Sequence, residues 1–230
     1  MCGIFGFIAA PGAQLGPDRM RSYLRDLFEL SQPRGQEASG LAIAIDGGIE
    51  VFKRGLAPRR MMRTRDYQDF LHDNLANLPI DADATVQAPV AVMGHCRLVT
   101  NGAEIATGNN HPVLVDNTVG IHNGIVTNDN ALWANYPTLE REHEIDSEVV
   151  FRLLDHHTSE TGELTTGLQR LFSEIEGSAS IAFFRADQRV LGLATNLGSL
   201  HLIAIPDAHL LVFASEAYFL ECFLKRNKQH

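Results

Sequence analysis

The second residue of this 230-residue chain is a cysteine, in the run Met1-Cys2-Gly3-Ile4-Phe5-Gly6. A residue this small after the initiator lets the methionine be removed, leaving a thiol and a free α-amine on one residue. The amine titrates at about 7.7 to 8.0 and a thiol at about 8.5. At neutral pH the amine can therefore take the thiol proton, directly or through water, with no separate histidine. By itself Cys2 reads better as a chance second residue. Cys96 and Cys222 lie too far apart for a disulfide framework or a zinc knuckle, so all three cysteines read as free thiols. Cys96 reads as a packing residue, and Cys222 as an inert thiol in an apolar C-terminal helix.

Other polar residues fall where elements end. Arg97 closes an apolar run, and a guanidinium there suits either solvent or a carboxylate fork. Asn123-Gly124 has the composition of a type I′ turn. Asp146 opens a helical pattern, where an aspartate commonly caps. His111 precedes Pro112, as loop histidines often do.

Four ordered segments surround these residues: Pro33-Arg34-Gly35-Gln36-Glu37-Ala38-Ser39-Gly40, Gly94-His95-Cys96-Arg97-Leu98-Val99-Thr100-Asn101-Gly102, Asn110-His111-Pro112 and His122-Asn123-Gly124. Asp146-Ser147-Glu148 follows. With the N-terminal run, they resemble the class II glutamine amidotransferases, above all the glutaminase domains of glucosamine-6-phosphate synthase and glutamine phosphoribosylpyrophosphate amidotransferase. Asparagine synthetase and glutamate synthase domains look more distant. The resemblance spans the chain down to Phe213-Ala214-Ser215-Glu216.

The resemblance implies an α+β fold, the four-layer α-β-β-α sandwich of two antiparallel sheets found in N-terminal nucleophile hydrolases. It makes Cys2 the nucleophile and its own amine the base. Asn123, through its side-chain amide, and Gly124, through its backbone N–H, become the oxyanion hole. Arg97 would hold the α-carboxylate of glutamine and Asp146 its α-ammonium, with Thr100 and His111 lining the pocket. Arg34 and Gly35 would support the loop near Cys2. The implied activity is hydrolysis of L-glutamine to glutamate and ammonia through a Cys2 thioester, without a metal or organic cofactor. The ammonia would pass to a synthase subunit or domain. Two departures, Leu98 where an aromatic commonly follows the arginine and Asn101 where the sugar-phosphate synthases have histidine, bear on how the glutamine loop closes and how ammonia is guarded.

Period-2 and period-3.6 patterns supply the framework. Ile4 to Ala10 reads as a buried strand that ties down the N-terminus. Pro17-Asp18 opens a helix with Met20, Tyr23, Leu24, Leu27 and Phe28 on one face. Leu41–Ile45 and Ile49–Phe52 form a hairpin over Asp46-Gly47-Gly48. A helix spans Asp66 to Leu78, and Val90–Met93 is a strand delivering Gly94 to Arg97 to its end. Val113–Val115 and Thr118–Ile121 pair over Asp116-Asn117, with His122-Asn123-Gly124 as the following loop. Helices start at Asp146 and near Leu164. Four apolar runs, Ser180–Phe184, Val190–Ala194, His201–Ile205 and Leu210–Ala214, read as a meander. No βαβα alternation appears, so a Rossmann sheet is disfavoured.

Composition fits one soluble domain over residues 1–230. The chain is 45% hydrophobic and carries a net charge of -9, with no basic face for nucleic acid or an anionic membrane. No apolar run reaches the roughly 18 residues that a membrane span needs, and nothing basic precedes the apolar start, so a cytoplasmic location is expected. A homo-oligomer stays open. Two rival functions stand beside glutamine hydrolysis: an amidohydrolase of the same fold acting on another γ-glutamyl or simple amide, and a catalytically idle domain that senses glutamine or binds a partner. The pairing of Arg97 with Asp146, suited to the two charges of a free amino acid, disfavours the first. The intact Cys2, Asn123 and Gly124 disfavour the second.

Overall fold

A computed structural model describes residues 2–99, 102–196 and 198–228. Strand β1 (Gly3–Ala9) is apolar throughout and buried on both faces, as a central strand must be. It lies between β4 (Val90–Arg97) and β10 (Leu210–Ala214) in a six-stranded sheet completed by β2 (Ala38–Ile45), β3 (Gly48–Arg54) and β9 (His201–Ile205). The second sheet holds β5 (Val113–Val115), β6 (Thr118–Val126), β7 (Gly177–Arg185) and β8 (Val190–Thr195), in that order. Every strand pairing in both sheets is antiparallel.

Three apolar layers hold four structural layers together. Helix α1 (Pro17–Ser31) buries the stripe Met20, Tyr23, Leu24, Leu27 and Phe28 against the outer face of the first sheet, with α3 (Arg65–Ala76) and α7 (Ala217–Asn227) beside it. Phe5 meets Phe28 edge-on at 4.8 Å between ring centroids. Helices α5 (Asp146–Thr161) and α6 (Leu164–Glu174) cover the second sheet through Val149, Val150, Leu153 and Leu171. Between the sheets lie Ile4, Ala42, Met93, Ile121, Ala182, Phe184 and Phe213. The α-β-β-α sandwich expected from the sequence is therefore the observed one.

Three local expectations change. His122-Asn123-Gly124 is strand, since β6 runs on to Val126 with these residues opposite Ile181, Ser180 and Ala179. Gly94 to Arg97 likewise stay in β4, paired with β1 and β2. In both, cross-strand partners override the weak strand preference of Gly, Asn and His. The four C-terminal runs are two hairpins in different sheets, because β9 pairs with β10 and β10 with β1, whereas β7 and β8 extend from β6. Two short helices, α2 (Pro58–Met61) and α4 (Asp129–Asn135), carry too few periodic positions to be read from the sequence.

Candidate active site

The inter-sheet layer turns polar at one end, and strand alternation decides which side chains meet there. Side chains two residues apart share a face. Ile4, Met93 and Ile121 all lie in the middle layer. Two residues away, Cys2, His95 and Asn123 share those faces, and Arg97 follows His95. The alternation thus puts Cys2, just before β1, with His95 and Arg97 of β4 and Asn123 of β6, on the faces that their sheets turn toward the middle layer.

Cys2 immediately precedes β1, and Gly3 is in register with Cys96. The Leu98 N–H donates to the Cys2 Sγ at 3.4 Å, and the thiol faces the Leu98 carbonyl at 3.6 Å. Arg34 Nε donates to the Cys2 carbonyl at 2.9 Å, while its Nη1 pairs with Glu216 at the end of β10. Burial pushes the Cys2 thiol up; the Leu98 N–H and the Arg97 guanidinium pull it down, and Asp146 adds to the rise. Gly35 is required by close approach. A Cβ there would sit 2.3 Å from the Arg97 carbonyl carbon, and Glu37 N–H closes the contact by donating to the Arg97 carbonyl at 3.2 Å. Pro33, Arg34, Gly35, Gln36, Glu37 and Leu98 line a surface depression of 480 Å³.

Arg97 is buried, with Nη1 donating to Asn110 Oδ1 at 2.7 Å and Nη2 to the Gly102 carbonyl at 2.8 Å. Lys53 secures the same loop, donating to the Asn110 carbonyl at 2.8 Å and the Pro112 carbonyl at 2.9 Å. Burial, helped by Arg97, pushes the Lys53 pKa down to about 8. His111 is buried and stacked on His95 at 4.1 Å between ring centroids. Thr100 and Asn101 lie outside the described residues.

Across the layer, Asn123 is buried with its Oδ1 unpartnered among the described residues. Gly124 has φ of +155°, and a Cβ there would fall 1.9 Å from the Ser178 carbonyl oxygen, so only glycine fits. Its backbone is also special. Ala179, opposite Gly124, spends both backbone groups on Asn196, whose Oδ1 accepts at 2.8 Å and whose N–H donates at 3.1 Å. Gly124 and Ala179 are thus a non-hydrogen-bonded antiparallel pair, which turns the Gly124 N–H away from β7. On that other side the β5 register ends at Gly120, so the ladder offers the Gly124 N–H no strand partner among the described residues. Such a donor beside an asparagine amide is suited to an oxyanion.

Asp146 is not the helix cap expected from the sequence. Ile145 occupies that position, and Asp146 is the first helical residue. Its Oδ2 accepts the Val126 N–H at 2.8 Å, and Ser147 Oγ lies 3.5 Å from its Oδ1 and 2.9 Å from His122 Nδ1. His95 Nε2 reaches the His122 carbonyl at 3.1 Å, joining β4 to β6. Cys96 is fully buried against α1, and burial raises its thiol well above the ordinary range. All three cysteines are free thiols.

The model of the glutamine amidotransferase domain family matches residues 95–222, more than half of the chain. The chain belongs to this family. It is 27% identical over 227 residues to the glutamine–fructose-6-phosphate aminotransferase (isomerizing) of Streptomyces coelicolor, covering 96% of this chain and 32% of that protein. Against the protein of the same name from Bacillus subtilis, identity is 29% over 221 residues, covering 94% and 32%. The chain spans about a third of the length of these relatives. In structure it is similar to the glutamine phosphoribosylpyrophosphate amidotransferase from Bacillus subtilis complexed with ADP and GMP, with a TM-score of 0.66 at 19% identity over 96% of this chain and 43% of the other. That likeness agrees with the fold of N-terminal nucleophile hydrolases.

Within this glutamine amidotransferase domain, sequence reasoning named no role for Lys53, Asn110, Ser147 or Glu216. Asn110 and Ser147 stand inside quoted motifs, which was a usable signal. Glu216 likewise closes the quoted run from Phe213, whereas Lys53 reaches the site only through sheet pairing and has no local signature. No helix among the described residues is long and apolar enough to cross a membrane.

Proposed function

We propose that residues 1–230 form a single amidotransferase domain that hydrolyses L-glutamine to L-glutamate and ammonia through a Cys2 thioester once Met1 is removed. The observation that carries this reading is the Cys2 thiol, held by the Leu98 N–H at the end of the inter-sheet layer that Asn123 also faces, with the ladder-free Gly124 N–H next to Asn123 in β6. The exposed α-amine takes the thiol proton and the sulfur attacks the glutamine carboxamide. Asn123 and Gly124 hold the oxyanion. The α-ammonium returns its proton to the leaving nitrogen, ammonia departs, and the amine then activates water to cleave the thioester to glutamate. Arg97 holds the substrate α-carboxylate as Asn110 and Gly102 fix its guanidinium, and Asp146 holds the α-ammonium. Thr100 and His111 complete the pocket wall. Arg34 and Gly35 position Cys2.

The ammonia would serve an acceptor, either a synthase domain or a separate subunit, as the names of the relatives suggest and as the third of their length matched here leaves room for. The test is glutamate and ammonia release from L-glutamine by the processed protein, compared with other γ-glutamyl compounds and simple amides. Release from unrelated amides at equal kcat/KM would favour a general amidohydrolase. Loss of labelling at Cys2 by a glutamine-analogue electrophile would favour an idle sensor.

A further inference from the structure

The last turns of α5 carry a second cluster of chemistry-bearing side chains, distant from Cys2. His156, His157 and Glu160 each present a ligand atom, all within 4.8 Å of one another. His156 Nε2 lies 3.3 Å from one Glu160 oxygen and His157 Nδ1 lies 4.0 Å from the other. Tetrahedral ligands at about 2.0 to 2.1 Å from a zinc ion sit roughly 3.4 Å apart, so closing this site needs only side-chain rotation.

The surroundings are those of a ligating imidazole. His157 is buried, and among the described residues neither ring nitrogen makes a hydrogen bond, its near neighbours being the Glu174 and Glu160 carboxylates. Its Nε2 faces Glu174 Oε1 of α6 at 3.2 Å, and Tyr136 hydroxyl donates to the other Glu174 oxygen at 2.8 Å. With Nδ1 on a metal, Nε2–H would donate to Glu174, the carboxylate–histidine pairing that commonly orients a metal ligand. Tyr136 also packs edge-on against both imidazoles, at 5.3 and 5.7 Å between ring centroids. An opposing charge comes from Arg170, whose Nη1 lies 3.4 Å from Glu160 Oε2.

We propose that His156 Nε2, His157 Nδ1 and Glu160 form a binding site for a zinc-type divalent ion, with Glu174 and Tyr136 as its outer support and water in the fourth position. Two imidazoles and one carboxylate are a donor set suited to zinc and neighbouring transition ions, and a poor one for calcium or magnesium. From Asp146 to His157 is eleven residues, about 16 Å along the helix, so this ion takes no part in the chemistry at Cys2. Because its ligands lie on α5 and its support on α6 and after α4, the ion would brace the helical layer.

The experiment is zinc titration of chelator-treated protein in a Cys2→Ser background, followed by calorimetry and by competition with a chromophoric zinc indicator. One saturable equivalent is expected, with a higher melting temperature on loading. His156→Ala, at a partly exposed position, and Glu160→Gln, at an exposed one, should abolish that equivalent while leaving the circular dichroism spectrum intact. Glu174→Gln should weaken it by about 10- to 100-fold. Arg170→Gln should tighten it, since a competing cation is removed. Absence of saturable binding, or binding indifferent to both His156→Ala and Glu160→Gln, overturns the proposal.

Discussion

Asp146 Oδ2 accepts the backbone N–H of Val126 at 2.8 Å, which fastens the start of α5 to the end of the strand carrying Asn123 and Gly124. One carboxylate oxygen thereby does structural work, while the other faces the Ser147 hydroxyl at 3.5 Å. The structural role and the proposed substrate role separate by substitution. Asp146→Ala leaves the buried Val126 N–H without an acceptor, and stability should fall by about 1 to 3 kcal/mol. Asp146→Asn retains an acceptor oxygen and removes the charge. Its melting temperature should stay near that of the parent while KM for glutamine rises, and an unchanged KM would remove Asp146 from substrate binding.

Removal of Met1 is expected to be obligatory. Intact mass should show the processed chain taking up one equivalent of a glutamine-analogue electrophile on Cys2. A variant whose second position blocks processing, with the cysteine moved one place inward, should lose the general-base contribution, about 100- to 10,000-fold in rate. Equal labelling of chains with and without Met1 would argue against the amine as base.

Asn123→Ala should lower kcat by about 100- to 1,000-fold, the cost of one oxyanion donor, with KM little changed. Stability should barely move, because Asn123 Oδ1 has no hydrogen-bond partner to lose among the described residues. Gly124→Ala should behave differently and fail to fold, since its Cβ would strike the Ser178 carbonyl. Soluble, fully stable Gly124→Ala protein would contradict the strand geometry described above.

Acid should destabilise the protein through its buried imidazoles. Burial pushes the His95 pKa down to about 3, and His111 and His122 are lowered by the same cause. Below about pH 6.5 the unfolded chain binds protons that the folded chain refuses. Unfolding free energy should therefore decline as pH falls from about 6.5 toward 3, measurable by denaturant titration across that range. A His95→Gln variant should show a shallower decline. Identical slopes would mean that His95 takes up its proton in the folded state.

Much of the site was legible because its chemistry sits in short segments. Cys2 after the initiator, Arg97 at the end of an apolar run and the glycines at 35 and 124 are local signals, and their order along the chain carried the resemblance. The failures were also local. His122-Asn123-Gly124 has the composition of a turn, and nothing within the segment announces the β7 partners that hold it extended. The meander over β7 to β10 has strands of the right kind, but periodicity contains no instruction about which sheet each hairpin joins.

The sequence by itself determined the candidate nucleophile, the family and the apolar faces, since these depend on residue type and on spacing of two to four positions. Tertiary structure alone decided that β1 runs between β4 and β10, so that Glu216, 182 positions from Arg34, pairs with the guanidinium that holds the Cys2 carbonyl. It also decided that Asn196 occupies Ala179, turning the Gly124 N–H out of the ladder. Both outcomes depend on strand register between distant segments. Register is set by packing the whole middle layer at once, and no local stretch of chain encodes it.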